Sequence, residues 1–273
     1  RSRKAGGWPL AAARGLVAKM TFRRAGIAVA LLTFFIYAAL IASLTTFLSF
    51  DTVASLFSSA RTLHAIKTSV FAATLVVFIA GLVALPAGFA LSRHDFVGKR
   101  VVDTMLELPL FVSPAALGAM LLIFFSTSAG IWIQDNLQQF VFTVYGIILA
   151  QFVAVLGVSV RLCKAAFDEV PTRYDDMARS LGAGSFTAFH TVVLPNARRG
   201  LFAAAILTWA KAMGEFGATI TVAGTIAMRT ETLPISIYMR LASADIEGAV
   251  GAIALLIVVS LTVLYLSRFI SAR

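Results

Sequence analysis

Two charges stand inside the apolar stretch 200–224, Lys211 and Glu215. Spaced by four, they would meet on one helix face. In a lipid-embedded helix, either charge alone near mid-membrane would cost about 2.5–3.5 kcal/mol on insertion scales. Pairing, or a wet cavity, is therefore expected. Gly214 and Gly217 flank Glu215 and disturb the helix there. These four residues form the candidate pathway or gate, and the alternative is a packing pair that never meets a transported solute. Little else suggests reactive chemistry. His64, His94 and His190 are dispersed, and Cys163 is the single cysteine, so neither a metal cluster nor an internal disulfide is expected. No GxxxxGK[ST] phosphate loop occurs. We expect a non-catalytic chain with no cofactor of its own.

A second constellation lies in 171–195, PTRYDDMARSLGAGSFTAFHTVVLP. Pro171 suits a helix start, and Thr172 with Asp175 suggests a capping pair. Tyr174, Met177, Ala178 and Leu181 recur on one helix face. Arg173, Asp175, Asp176, Arg179 and Ser180 take the other side. Gly182 and Gly184 are expected to stop this helix. Ser185 is expected to cap a second short helix presenting Phe186, Phe189 and Val193, ended by Pro195. The product is either a surface loop on the membrane or a rigid knob that docks into a partner. Periodicity alone does not choose between them.

The elements that must position these residues follow from composition. Apolar residues make up 59% and charged residues 13% of the chain, against about 45–50% and 25% in soluble domains. Mean hydropathy is +0.90. Lipid is the solvent that accepts such a surface. Runs of about 20 apolar residues, too continuous for barrel strands, predict an all-α polytopic protein. Six spans are expected near 27–50, 68–92, 105–126, 141–163, 200–224 and 247–267. The first run is too long for a cleaved signal segment and is read as an uncleaved span. Pro86, Pro109 and Pro114 lie in the second and third spans, where they kink helices or mark moving segments.

Net charge is +10, and its distribution decides its meaning. Segments 1–26, 93–104, 161–199 and 268–273 carry seven, three, six and two Lys or Arg; 51–67, 127–140 and 225–245 carry two, none and two. Cytoplasmic loops attract positive charge. Both termini and the loop 164–199 are therefore expected in the cytoplasm, with 1–26 a basic N-terminal segment, 27–267 one transmembrane domain and 268–273 a tail. Basic residues spread over four segments build no nucleic-acid face.

The loop resembles the EAA loop of ABC importer permeases, E-A-A-x3-G-x9-I-x-L-P. Asp176, Met177, Ala178, Gly182, Val192, Leu194 and Pro195 fill those places. The stretches LPLFVSPAALG at 108–118, GEFGATITVAG at 214–224 and RTETLPISIY at 229–238 look like molybdate and sulfate permeases, TLPISIY leaning toward molybdate. Lys211 stands where that family often has Arg, and Gly157 where it often has Pro.

The resemblance implies a type I ABC importer fold in a bacterial inner membrane. It implies partners: a dimer of cytoplasmic ATPase subunits that bind the ATP, a second permease copy as homodimer, and a periplasmic oxyanion-binding protein. Asp176, Met177, Ala178, Gly182, Leu194 and Pro195 would couple to the ATPase. The cargo would be molybdate or tungstate, with sulfate or thiosulfate as the alternative. Beside such an anion a bare Glu215 would repel, so a neutralising Lys211 is physically sensible. An ion-coupled carrier or membrane enzyme is the reading from another class. A proton-coupled carrier would be expected to hold several ionisable groups in its spans, and Glu107, Lys211 and Glu215 are the main ones here.

Overall fold

The computed structural model describes residues 8–47 and 58–271, with side chains described over 23–47 and 58–265. Among the described residues the secondary structure is helical, without strands. The chain divides into two compact units, 1–50 and 51–273. The first is a single helix, α1 (Trp8–Leu44), whose apolar part Arg23–Leu44 is long enough to cross a membrane. Its apolar side chains, among them Leu31, Phe34, Phe35 and Leu40, find no cover within that unit. Residues 48–50 of the expected first span lie outside the described residues.

The second unit begins with α2 (Ala60–Arg93), started by Ser59, whose side chain accepts from Thr62 N–H. α3 (Lys99–Phe111) and α4 (Pro114–Phe125) follow, then α5 (Ser128–Asn136) and α6 (Val144–Asp168). Hydroxyl caps start three of these: Ser113 for α4, Thr127 for α5 and Thr143 for α6. Each satisfies an N–H that the first turn leaves open. Next come α7 (Thr172–Ser180), α8 (Ser185–Ala188), a π turn at Phe189–Val193, α9 (Leu194–Met213), α10 (Gly217–Ala223), α11 (Leu233–Ala242) and α12 (Ile246–Ser271).

Among the described residues four helices are long and apolar enough to cross a membrane: those at Arg23–Leu44, Ala60–Arg93, Val144–Asp168 and Ile246–Tyr265. The expected third and fifth spans are broken rather than continuous. α3 and α4 pass the same test only as a pair, bent by 111°. The bend falls at Val112–Ser113, because a Ser–Pro pair starts a new helix there instead of kinking the old one. The apolar part of α9, 200–213, is roughly 21 Å long and ends at Gly214.

Helices in lipid gain little from apolar burial against one another, so they associate through close packing of small residues. α2 and α6 pack together and, with α9, hold the centre of the unit. Ala65, Ala72, Ala73, Ala80 and Ala84 line the buried face of α2. At Gly157 a Cβ would fall on the carbonyl oxygen of Leu106, so this glycine lets α6 touch the α3 backbone. Beside that contact Arg161 and Glu107 form an ion pair of 3.0 Å. Cys163 is buried in the core between α2 and α9, a small apolar side chain among others.

Candidate coupling loop and broken-helix junction

α7 ends in a Schellman turn. Gly182 N–H donates to Arg179 O at 2.9 Å, and Ala183 N–H donates to Ala178 O at 3.1 Å. Gly182 takes φ +88°, a left-handed conformation that costs other residues energy and glycine almost nothing. The sequence expectation for Gly182 is met in place and in kind.

α7 is exposed on both faces, its apolar one included. Met177 is 61% and Leu181 88% exposed, and Tyr174 is exposed beside them. They rim an open hollow of about 430 Å³ whose other walls are Ala178, Ala183, Thr191, Val192 and Asn196. Asp175, expected on the solvent side, is only 8% exposed and pairs with Arg179 at 3.3 Å. No capping pair with Thr172 forms; Pro171 holds the cap position without a side-chain bond. Asp176 is exposed next to the apolar face.

The second half of the loop differs from expectation at Pro195. Gly184, not Ser185, holds the cap position of α8. From Ser185 the chain stays helical through the π turn into α9, with Leu194 N–H reaching back five residues to Phe189 O. Pro195 follows directly on the π turn, where the hydrogen-bond register has already shifted, and the helix runs on through it into α9. Pro195 therefore does not end the helix. Val193 is fully buried and Phe189 partly, so only Phe186 remains presented outward.

The candidate gate is arranged differently from the sequence expectation. Lys211 and Glu215 do not form the expected i,i+4 pair. α9 stops at Met213, Gly214 N–H donates to Ala210 O at 3.1 Å, and Glu215 has left the helix face. Its carboxylate turns toward α10, where Oε1 accepts from Ala218 N–H at 3.0 Å. Glu215 is 5% exposed. Gly214 is exposed and meets nothing closer than 3.5 Å with an added Cβ. Gly217 has a definite task. A Cβ there would stand 2.8 Å from Pro114 Cβ and 2.9 Å from Ala115 N. One turn on, a Cβ at Gly118 would stand 2.6 Å from Thr221 Cβ. The two breaks in the chain thus pack on each other through glycines, α10 against α4. Irregular backbone at membrane depth is tolerated where protein buries it or a wet cavity adjoins it.

Sequence reasoning missed one further polar cluster. Arg61 Nε donates to Glu231 Oε2 at 2.7 Å, and Glu231 is buried. Ser69 Oγ accepts from Leu233 N–H at 2.7 Å, and Arg240 bonds Thr62 Oγ1 at 3.1 Å and Asp245 at 2.8 Å. The quoted stretch RTETLPISIY contained the signal, but its partners lie about 170 residues earlier.

A broken-helix bundle carrying such a loop is matched by known proteins. Residues 84–273 match the family described as the inner membrane component of binding-protein-dependent transport systems. The chain belongs to that family. The permease is 31% identical over 211 residues to the sulfate transport system permease protein CysW of Synechocystis, covering 77% of this chain and 76% of that one. It is 32% identical over 202 residues to the molybdenum transport system permease protein ModB of Escherichia coli, covering 71% and 86%. The ModB protein of Haemophilus influenzae is 29% identical over 215 residues, covering 77% of the permease and 90% of the relative. Among solved structures, a bacterial ABC transporter that imports alginate superposes with TM-score 0.74 at 18% identity, covering 94% of the permease and 98% of that chain. The MetNI methionine ABC transporter gives 0.59 at 18% identity, covering 78% and 98%. These two establish the fold, that of ABC importer permeases.

Proposed function

We propose that this permease is the membrane-spanning subunit of an ATP-driven importer for molybdate or tungstate. The observation that carries the coupling role is the outward apolar face of α7. Met177 and Leu181 stand on a helix locked by the Gly182 turn and are left exposed by the described residues. An exposed apolar surface of this kind, rimmed by charge, suits a protein partner. The partner proposed is a dimer of ATPase subunits, which bind the ATP. Asp176, Met177, Ala178 and Gly182 belong to the docking knob, and Leu194 and Pro195 carry it into α9. A second permease copy completes the pathway, and a periplasmic protein delivers the anion. The chain itself catalyses nothing.

The α4–α10 junction is proposed as the part that moves, with Glu215 and Gly217 as its residues. Lys211, a turn before the break, and Gly214 stand at its edge. The substrate choice rests on TLPISIY and the ModB relatives. Sulfate or thiosulfate is the second reading, supported by the CysW relative at 31% identity. Vesicles holding the permease, its ATPase and its binding protein should accumulate labelled molybdate when ATP is enclosed. Accumulation of sulfate with no response to molybdate would select the second reading, and uptake without the ATPase would sink both.

Orientation follows the charge distribution, with both termini and loop 164–199 in the cytoplasm of a bacterial inner membrane. Cysteine at Ser185 should resist an impermeant thiol reagent applied from the periplasm, while cysteine at Gln138 should react. The opposite pattern would reverse the orientation.

A further inference from the structure

The two ends of α2 are fastened to two different parts of the permease. At its last turn, Arg93 Nη2 donates to Phe167 O at 3.0 Å and to Val170 O at 2.6 Å. These carbonyls lie at and just past the end of α6, where carbonyls run short of internal donors; Phe167 O also accepts from Val170 N–H at 3.1 Å. A guanidinium there also meets the negative end of the helix dipole. Beside it, Ser92 Oγ donates to Asp168 Oδ1 at 2.6 Å. The Phe89 ring lies 5.5 Å from that of Phe167 and 4.6 Å from that of Phe189. Phe167 and Asp168 lead into the docking loop, and Phe189 leads out of it. One end of α2 therefore holds both roots of the loop. Gly88 tightens the hold, since a Cβ there would stand 2.9 Å from both Cys163 Cβ and Lys164 N.

At its first turns α2 is held just as firmly to the segment 230–240. Arg61 pairs with buried Glu231, Thr62 accepts from Arg240, and Ser69 accepts from Leu233 N–H. Between these fastenings runs one helix of 34 residues, roughly 51 Å long. Its interior proline, Pro86, lies at the loop end, one turn before Phe89.

We propose that α2 is the strut that carries movement of loop 171–193 to the segment 230–240 on the opposite side, with Arg93 as its clasp. This rests on the loop being the ATPase dock. A stiff helix bonded at both ends shifts as a unit, so displacement of the loop roots is delivered where Glu231 and Leu233 are anchored. Arg93 touches neither anion nor nucleotide and acts as a positioning residue.

The test uses the complete complex in vesicles, with the anion that the unaltered complex imports. ATP hydrolysed and anion accumulated are measured together. In Arg93→Ala the ATPase should remain bound and hydrolyse ATP, while anion imported per ATP falls roughly tenfold, the scale of one lost charge-assisted hydrogen bond. Arg93→Lys, which keeps a cation and donors, should recover more than half of the ratio. Ser69→Ala, at the far end, should lower the same ratio. The double variant should be no worse than the worse single one, because both cut one path. An unchanged ratio in Arg93→Ala overturns the strut, as does a parallel loss of hydrolysis and uptake at constant ratio. If Arg93→Ala does not assemble, Ser92→Ala carries the same test with the guanidinium in place. An unaltered complex that fails to hold the ATPase at the loop would overturn the docking reading instead.

Discussion

Two regions of the permease turn on glycine, and they use it for opposite purposes. At the end of α7, Gly182 supplies a left-handed φ in open space, with nothing within 4 Å of an added Cβ. At the α4–α10 junction, Gly217 and Gly118 supply absence of bulk, because neighbouring atoms occupy the place of a Cβ. The first region turns its apolar side chains outward, and of its two acids it buries Asp175 and leaves Asp176 exposed. The second buries Glu215 and satisfies it with the Ala218 N–H. The knob proposed to meet another protein ends in a fixed glycine turn and is left uncovered by the described residues. A junction inside the bundle is packed closely, and its buried carboxylate accepts from a neighbouring N–H.

Substitutions should separate the two. Gly182→Val forces a β-branched residue into positive φ and should abolish uptake, with the permease still reaching the membrane at a normal level. Uptake near normal would remove the knob from the account. Gly217→Val should act through packing instead, destabilising the bundle by about 1–3 kcal/mol. Thermal unfolding in detergent should reveal it, with a lowered level of permease in membranes. A smaller effect is expected at Glu215. Glu215→Gln keeps an oxygen for the Ala218 N–H and should retain most uptake. Glu215→Ala removes it and should cost about 1 kcal/mol of stability, the scale of a lost helix cap. Equal loss in both would show that the charge matters rather than the cap. Gly214→Ala should be the mildest, within about 0.5 kcal/mol of the unaltered protein, since the added carbon meets only ordinary contacts.

Much of this contrast is written locally in the chain, and the rest depends on distant atoms. The apolar face of α7 and the stop at Gly182 follow from helical spacing and a single residue type. The outward direction of that face does not, because spacing groups the apolar residues on one face without saying which way it points. Spacing misleads at Lys211 and Glu215, since i,i+4 assumes one helix and the chain breaks between them. Pro195 is read as an end because proline lacks a donor, yet the preceding π turn shifts the hydrogen-bond register beside it and the helix runs on. Ser113–Pro114 carries a helix-start signal, whereas Pro114 is read from sequence as a kink or a moving segment. The Arg61–Glu231 and Arg93–Val170 bonds join residues 170 and 77 positions apart, and no local pattern announces them.

The central claim is that the outward face of α7 is the ATPase dock, and Leu181 offers the most direct test. Its side chain is 88% exposed and supports little of its own fold. Leu181→Asp should leave the level and thermal stability of the permease unchanged. The ATPase recovered with it in detergent should fall roughly tenfold, as for loss of one anchoring interface residue, and uptake should fail with it. Full recovery of the ATPase together with normal uptake would contradict the account.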